Sequence, residues 1–166
     1  GYYYNWSITS YDPQSSTATS AMSNLSVQSY LSISLPTYSV LLSLNRNTTY
    51  NTTNATGPGP IKIRNDGNIL VNINMSSTRL FASGEFPSTN FRCKTDNRTT
   101  PGSINYTGSQ TTWTNVSNQN LRLITALNWS SSLDIADVDI LVNVPSDEPA
   151  GAKSSWITFT AWYQGL

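Results

Sequence analysis

Three aspartates, Asp134, Asp137 and Asp139, stand close together in the chain, with Asp147 and Glu148 a little further on. Carboxylates at that spacing could share a calcium ion, which takes six to eight oxygens. No D-x-D-x-D-G loop accompanies them, so the reading here is no metal and solvent-facing strand residues. A glycosidase needs two carboxylates about 5–10 Å apart. With nine acids in the whole chain, nothing in the sequence marks such a pair. Cys93 lies between Arg92 and Lys94, and flanking bases favour a thiolate. No histidine exists to partner it, and a lone cysteine reads as a buried, inert side chain. A lysine–asparagine crosslink would have to start from Lys62, Lys94 or Lys153, and no local pattern singles one out.

Composition narrows the chemistry further. Of 166 residues, 64 are Ser, Thr or Asn, while nine basic residues balance nine acidic ones. The absence of histidine removes Ser-His-Asp and Cys-His catalysis and any His-ligated metal. One cysteine forbids an internal disulfide or a CxxC site. Zero net charge gives no footprint for nucleic acid or an anionic membrane. No apolar run reaches the ~18 residues of a membrane span. The expectation is a protein without cofactor that is not an enzyme.

The sequence repeats one modification signal. N-x-S/T triplets begin at Asn5, Asn24, Asn47, Asn51, Asn54, Asn74, Asn97, Asn105, Asn115 and Asn128. This composition would give about five by chance under the acceptor rule. The excess points to a secreted glycoprotein carrying N-linked glycans at the cell surface. Gly1 fits a mature end left by signal-peptide cleavage. Dense acceptor sites without paired cysteines fit an archaeal surface protein better than a eukaryotic one.

The elements that must position these residues are strands. Period-two alternation or short apolar runs bounded by turns mark residues 2–9, 27–35, 40–44, 61–64, 69–76, 133–144 and 156–163. Shorter pieces surround Phe81, Phe86 and Phe91, and a further stretch starts at Leu121. Asp66-Gly67 predicts a hairpin turn between two of the strands. Residues 45–60 read as an exposed, glycan-bearing loop. In 69–76 the alternation places Asn74 outward. In 156–163 it places Ile157, Phe159, Ala161 and Tyr163 on one face, leaving Trp156 and Trp162 as contact candidates. No segment has helical periodicity. The reading is an all-β, Ig-like or jelly-roll sandwich over residues 24–166, preceded by a linker over 11–23.

Residues 1–10 form a strand with Tyr2, Tyr4, Trp6 and Ile8 on one face. Such a strand must dock somewhere, either in its own sheet or in the sheet of a neighbour. Two further stretches bear on the choice. Val138-Asp139-Ile140-Leu141-Val142-Asn143-Val144-Pro145, with Gly151 and Trp156-Ile157-Thr158-Phe159-Thr160-Ala161, resembles the closing strands of TasA/camelysin-like sandwich proteins and archaeal surface-filament subunits. Ile63-Arg64-Asn65-Asp66-Gly67-Asn68-Ile69-Leu70-Val71-Asn72-Ile73 is similar to a strand–turn–strand of the same proteins. The resemblance implies a structural subunit of an extracellular pilus or thread. It also implies head-to-tail self-polymerisation through an N-terminal donor strand, for adhesion or biofilm cohesion, with neighbouring filaments or cell surfaces as further partners. The competing expectation is a monomeric carbohydrate-binding or adhesin module of a surface layer, working through exposed tryptophans.

Overall fold

The computed structural model describes residues 2–6, 9–11, 17–19, 23–53 and 57–163, with side chains from Val27 onward. The described residues contain strands and no helix. Two compact units are present, Gly1–Tyr30 and Leu31–Leu166.

In the first unit, β1 (Tyr2–Trp6) pairs antiparallel with β4 (Ser23–Val27), in the register Tyr2↔Val27 to Trp6↔Ser23. Nested inside it, β2 (Thr9–Tyr11) pairs with β3 (Thr17–Thr19). The stretch 11–23, expected as a linker, includes the last residue of β2, all of β3 and the first residue of β4. The boundary between units falls after Tyr30, not after Ser23. Ser/Thr-rich sequence looks like spacer, but the β-branched Thr17 and Thr19 also suit a strand. Tyr2, Tyr4 and Trp6 lie in β1, whereas Ile8 lies outside the described residues.

The second unit is a β-sandwich of two antiparallel sheets. The larger contains β5 (Ile33–Thr37), β6 (Thr49–Asn51), β7 (Ile61–Asn65), β9 (Phe91–Asp96), β10 (Thr114–Asn115) and β12 (Ile135–Asn143). Its order is β10-β9-β12-β7-β5, with β6 pairing on β12 beyond β7. The smaller sheet has the order β11-β8-β13, from β11 (Leu121–Leu127), β8 (Val71–Ser77) and β13 (Ile157–Tyr163). Alternation supplies the core. Ile61, Ile63, Cys93, Val138 and Ile140 face inward from one sheet, and Val71, Ile73, Met75, Leu123 and Leu127 from the other. Each large aliphatic side chain buried there contributes about 1.5–3 kcal/mol.

The expected hairpin at Asp66-Gly67 is not formed: β7 belongs to the large sheet and β8 to the small one. Buried Asn65 explains the change of sheet. Its Oδ1 accepts the Gly67 amide at 3.0 Å, and its Nδ2 donates to the carbonyls of Ile69 at 2.8 Å and Leu127 at 3.1 Å. A turn fastened sideways to β11 has to leave its parent sheet.

The sheet edges of the sandwich are treated differently, and β6, which pairs only with β12, is three residues long. β10 is only two residues long. β5 contains Pro36, which has no ladder donor, and the register shifts across it. β11 is covered by a loop: Asn105 N donates to Thr125 O and Gln110 N to Leu123 O, both at 2.9 Å. β13 pairs with β8 along one edge, and among the described residues no strand pairs with its other edge.

Candidate functional site

Next to the unpaired strand is a cleft of about 1050 Å³. Ile140 and Val142 of β12 and Phe91 of β9 line it from the large sheet, and Ile157 and Phe159 of β13 from the small one. The three-stranded sheet is too narrow to cover the six-stranded one, so apolar residues facing inward are left lining an open groove. Residues 38–44 form one wall. Val40, Leu42 and Leu44 pack against the core, while Tyr38 and Leu41 are 77% and 87% exposed. Residues 40–44, expected as a strand, pair with no strand. Among the described residues, 38–44 make no backbone hydrogen bond. The alternation is present but its ladder partner is not. Trp156, also at the groove, is 80% exposed.

The remaining wall is held by one carboxylate. Glu148 is buried and accepts the amides of Ala82 at 3.2 Å and Ser83 at 2.9 Å, the Ser83 hydroxyl at 2.7 Å, and Lys153 Nζ at 2.8 Å. The Lys153 contact first, then the Ser83 amide, holds its carboxyl down to about 2. Glu148 thereby ties the 145–155 loop to the turn around Phe81.

The aspartates build a different site, on the outer face of the large sheet. Asp137 and Asp139 do point away from the core, but both are buried rather than solvated. Asp139 accepts two bonds from the Arg98 guanidinium at 2.8 Å and one from the Thr52 hydroxyl at 3.0 Å, with Lys94 Nζ at 3.7 Å. Burial raises its carboxyl pKa, opposed by Thr52, Arg98 and Lys94. Asp137 accepts the Thr99 amide and hydroxyl, each at 3.0 Å. Lys94 also lies 3.6 Å from Asp96 and 5.3 Å from the centre of the Trp113 ring. Cations and hydroxyls therefore occupy the oxygens that calcium would need, and among the described residues no group of three acidic, His or Cys side chains could hold a metal. Thr52 seals the gap between β6 and β7, donating its amide to Ile140 O and accepting the Ile140 amide on its hydroxyl. A polar pocket of about 340 Å³ adjoins, lined by Thr53, Gly57, Arg98 and Asp137. Long-range partners such as Thr52 and Arg98 carried no signal in the sequence.

The other candidates also find places. Cys93 is fully buried, and burial pushes its thiol up to about 12, so it is inert at neutral pH. Lys62 donates to Thr99, Lys94 faces two aspartates and Lys153 faces Glu148, so no lysine is set against an asparagine for a crosslink. Asn74 sits on the outer face between exposed Arg122 and Thr160. Asn47 occupies a left-handed turn at φ 58° and is exposed. Oδ1 of Asn51, Asn105 and Asn128 each accepts a backbone amide two or three residues on. Asn97 and Asn115 are half-buried. Asn5 and Asn24 are register partners in β1 and β4, and Asn54 lies outside the described residues. Of the seven acceptor asparagines whose side chains are described, Asn47, Asn51, Asn74, Asn97, Asn105, Asn115 and Asn128, none lines the groove.

Comparison of the chain with known protein families, with curated proteins and with solved structures finds no match.

Proposed function

We propose that this chain is a structural subunit of a glycosylated extracellular filament, with the groove as the acceptor for the N-terminal strand of a second copy. The observation that carries this reading is the unguarded edge of β13 beside an open apolar cleft. Natural sheet edges are protected by charge, proline, brevity or cover. β13 is seven residues long, and Ile157-Thr158-Phe159-Thr160-Ala161-Trp162-Tyr163 contains no charge and no proline. The other edges of the sandwich, at β5, β6, β10 and β11, are each shortened, broken or covered. Tyr2, Tyr4, Trp6 and Ile8 match the apolar groove in character. Aromatic residues bury about 150–250 Å² each, so three of them with Ile8 approach the ~800 Å² per partner of a standard stable interface. β1 pairs with β4 by one edge, and among the described residues no strand pairs with its other edge, where an acceptor strand would add. A head-to-tail contact of this kind does not close on itself and propagates. The seven acceptor asparagines with described side chains lie outside the groove, which fits an exterior coated with sugar and a bare docking surface, hence secretion to the cell surface.

Negative-stain microscopy of the purified chain and of a variant lacking residues 1–10 tests this. Thin fibres from the full chain, lost on deletion, are expected. Monodisperse single-domain particles from the full chain would sink the filament reading.

A second reading is favoured by Trp156 and Tyr38, whose exposed rings at the groove mouth suit stacking on sugars. It makes the chain a monomeric carbohydrate-binding module. Glycan-array binding that survives the deletion and is lost in Trp156→Ala would select it.

A further inference from the structure

We infer that residues 38–44 are a β-strand lacking only its partner, and that the arriving strand of a second copy converts them into a ladder-bonded strand. The inference rests on the acceptor-groove reading above and adds what happens to the acceptor. Tyr38-Ser39-Val40-Leu41-Leu42-Ser43-Leu44 has strand alternation, and the structure preserves it from Val40 onward: Val40, Leu42 and Leu44 turn toward the core, while Leu41 and Ser43 are exposed, as is Tyr38. The side chains are thus already sorted into two faces. Only the hydrogen bonds are missing, because among the described residues the backbone of 38–44 finds no acceptor or donor. Extended backbone with sorted faces pairs readily when an edge arrives, since the side chains need not be re-oriented.

The segment also lines the same groove as Ile157 and Phe159, so a strand entering that groove meets two unpaired stretches of chain. The occupant is a second copy, on three grounds. The area offered by Tyr2, Tyr4, Trp6 and Ile8 matches a standard interface. Residues 2–8 carry no charge, as the groove-facing apolar residues require. Among the described side chains, no acceptor asparagine lines the groove.

Amide hydrogen exchange read by mass spectrometry tests this on the full chain, before and after assembly. Peptides covering 38–44 should exchange at near-unprotected rates in the monomer. In polymers they should slow by about 100-fold or more, together with 157–163. Polymers in which 157–163 is protected while 38–44 still exchanges at the monomer rate overturn this inference and leave the acceptor groove standing. Absence of polymers, or polymers without protection at 157–163, overturns both. Leu41→Pro and Ser43→Pro give a second readout. Both side chains are exposed and outside the core, so the monomer should keep its melting temperature. Each lost ladder donor should weaken assembly by about tenfold. Unchanged assembly in both variants also overturns the inference.

Discussion

The two faces of β12 meet opposite fates. On the outer face, where solvent is expected, Asp137 and Asp139 are sealed under Arg98, Thr52 and Thr99. On the inner face, where closure is expected, Ile140 and Val142 line a groove of about 1050 Å³. The chain satisfies its most awkward polar groups internally, whereas at the groove Ile140 and Val142 are buried as its floor and Tyr38, Leu41 and Trp156 stand exposed at its rim. Buried charge must be compensated for the monomer to fold. An open apolar groove is tolerable in a monomer and useful to a partner. The contrast separates what stabilises this molecule from what it offers to others.

The contrast can be broken at either face. The largest expected effect is on the groove side: Phe159→Asp places a charge between the sheets and should reduce fibre formation by at least about 100-fold, from the several kcal/mol cost of burying an unpaired carboxylate. Turbidity and microscopy at matched folded concentration would check this. On the sealed side, Arg98→Ala leaves Asp139 buried with only Lys94 and Thr52 and should cost about 3 kcal/mol in urea unfolding. Fibres from the folded fraction should persist, and equal loss of fibres and stability would erase the distinction between the faces.

Acid sharpens it at the groove wall. The folded pKa of Glu148 lies near 2, below its ordinary 4.5. Its stabilising contribution is therefore fully present above about pH 4.5 and is lost as pH falls toward 2. Melting temperatures followed over that window should fall in the parent and fall less steeply in Glu148→Gln. The smallest effect is at Trp156, which is 80% exposed: Trp156→Ser should change unfolding stability by less than about 0.5 kcal/mol. A larger loss would mean that the ring supports the monomer instead of facing a partner.

Much of the sandwich was legible in the sequence. Strands expected at 69–76, 133–144 and 156–163 correspond to β8, β12 and β13, because each carries a long alternation with one buried face. The all-β class followed from the same period. What failed depended on distant partners. Residues 27–35 split into β4 and β5 because a unit boundary interrupts a continuous apolar pattern. Residues 40–44 have the pattern but no neighbour to pair with. Asp66-Gly67 is a good local turn, yet Asn65 and Leu127, 62 positions apart, decide which sheet follows it. The groove itself was invisible, since it arises from unequal sheet widths and no local signal encodes that. The sealing of Asp139 likewise depends on Thr52, 87 positions away.

Asn65 has one further consequence, a matter of chemical ageing. Its amide nitrogen donates to two carbonyls, and no carboxylate could replace it there, because an ionised acid only accepts. Deamidation at this one position would set like dipoles against each other at the corner where the chain passes between the sheets. Deamidation needs the Asp66 amide nitrogen to attack the Asn65 side-chain carbonyl, and that nitrogen is held by Ser32 O at 3.0 Å while three hydrogen bonds fix the Asn65 amide, so the corner is protected against this reaction.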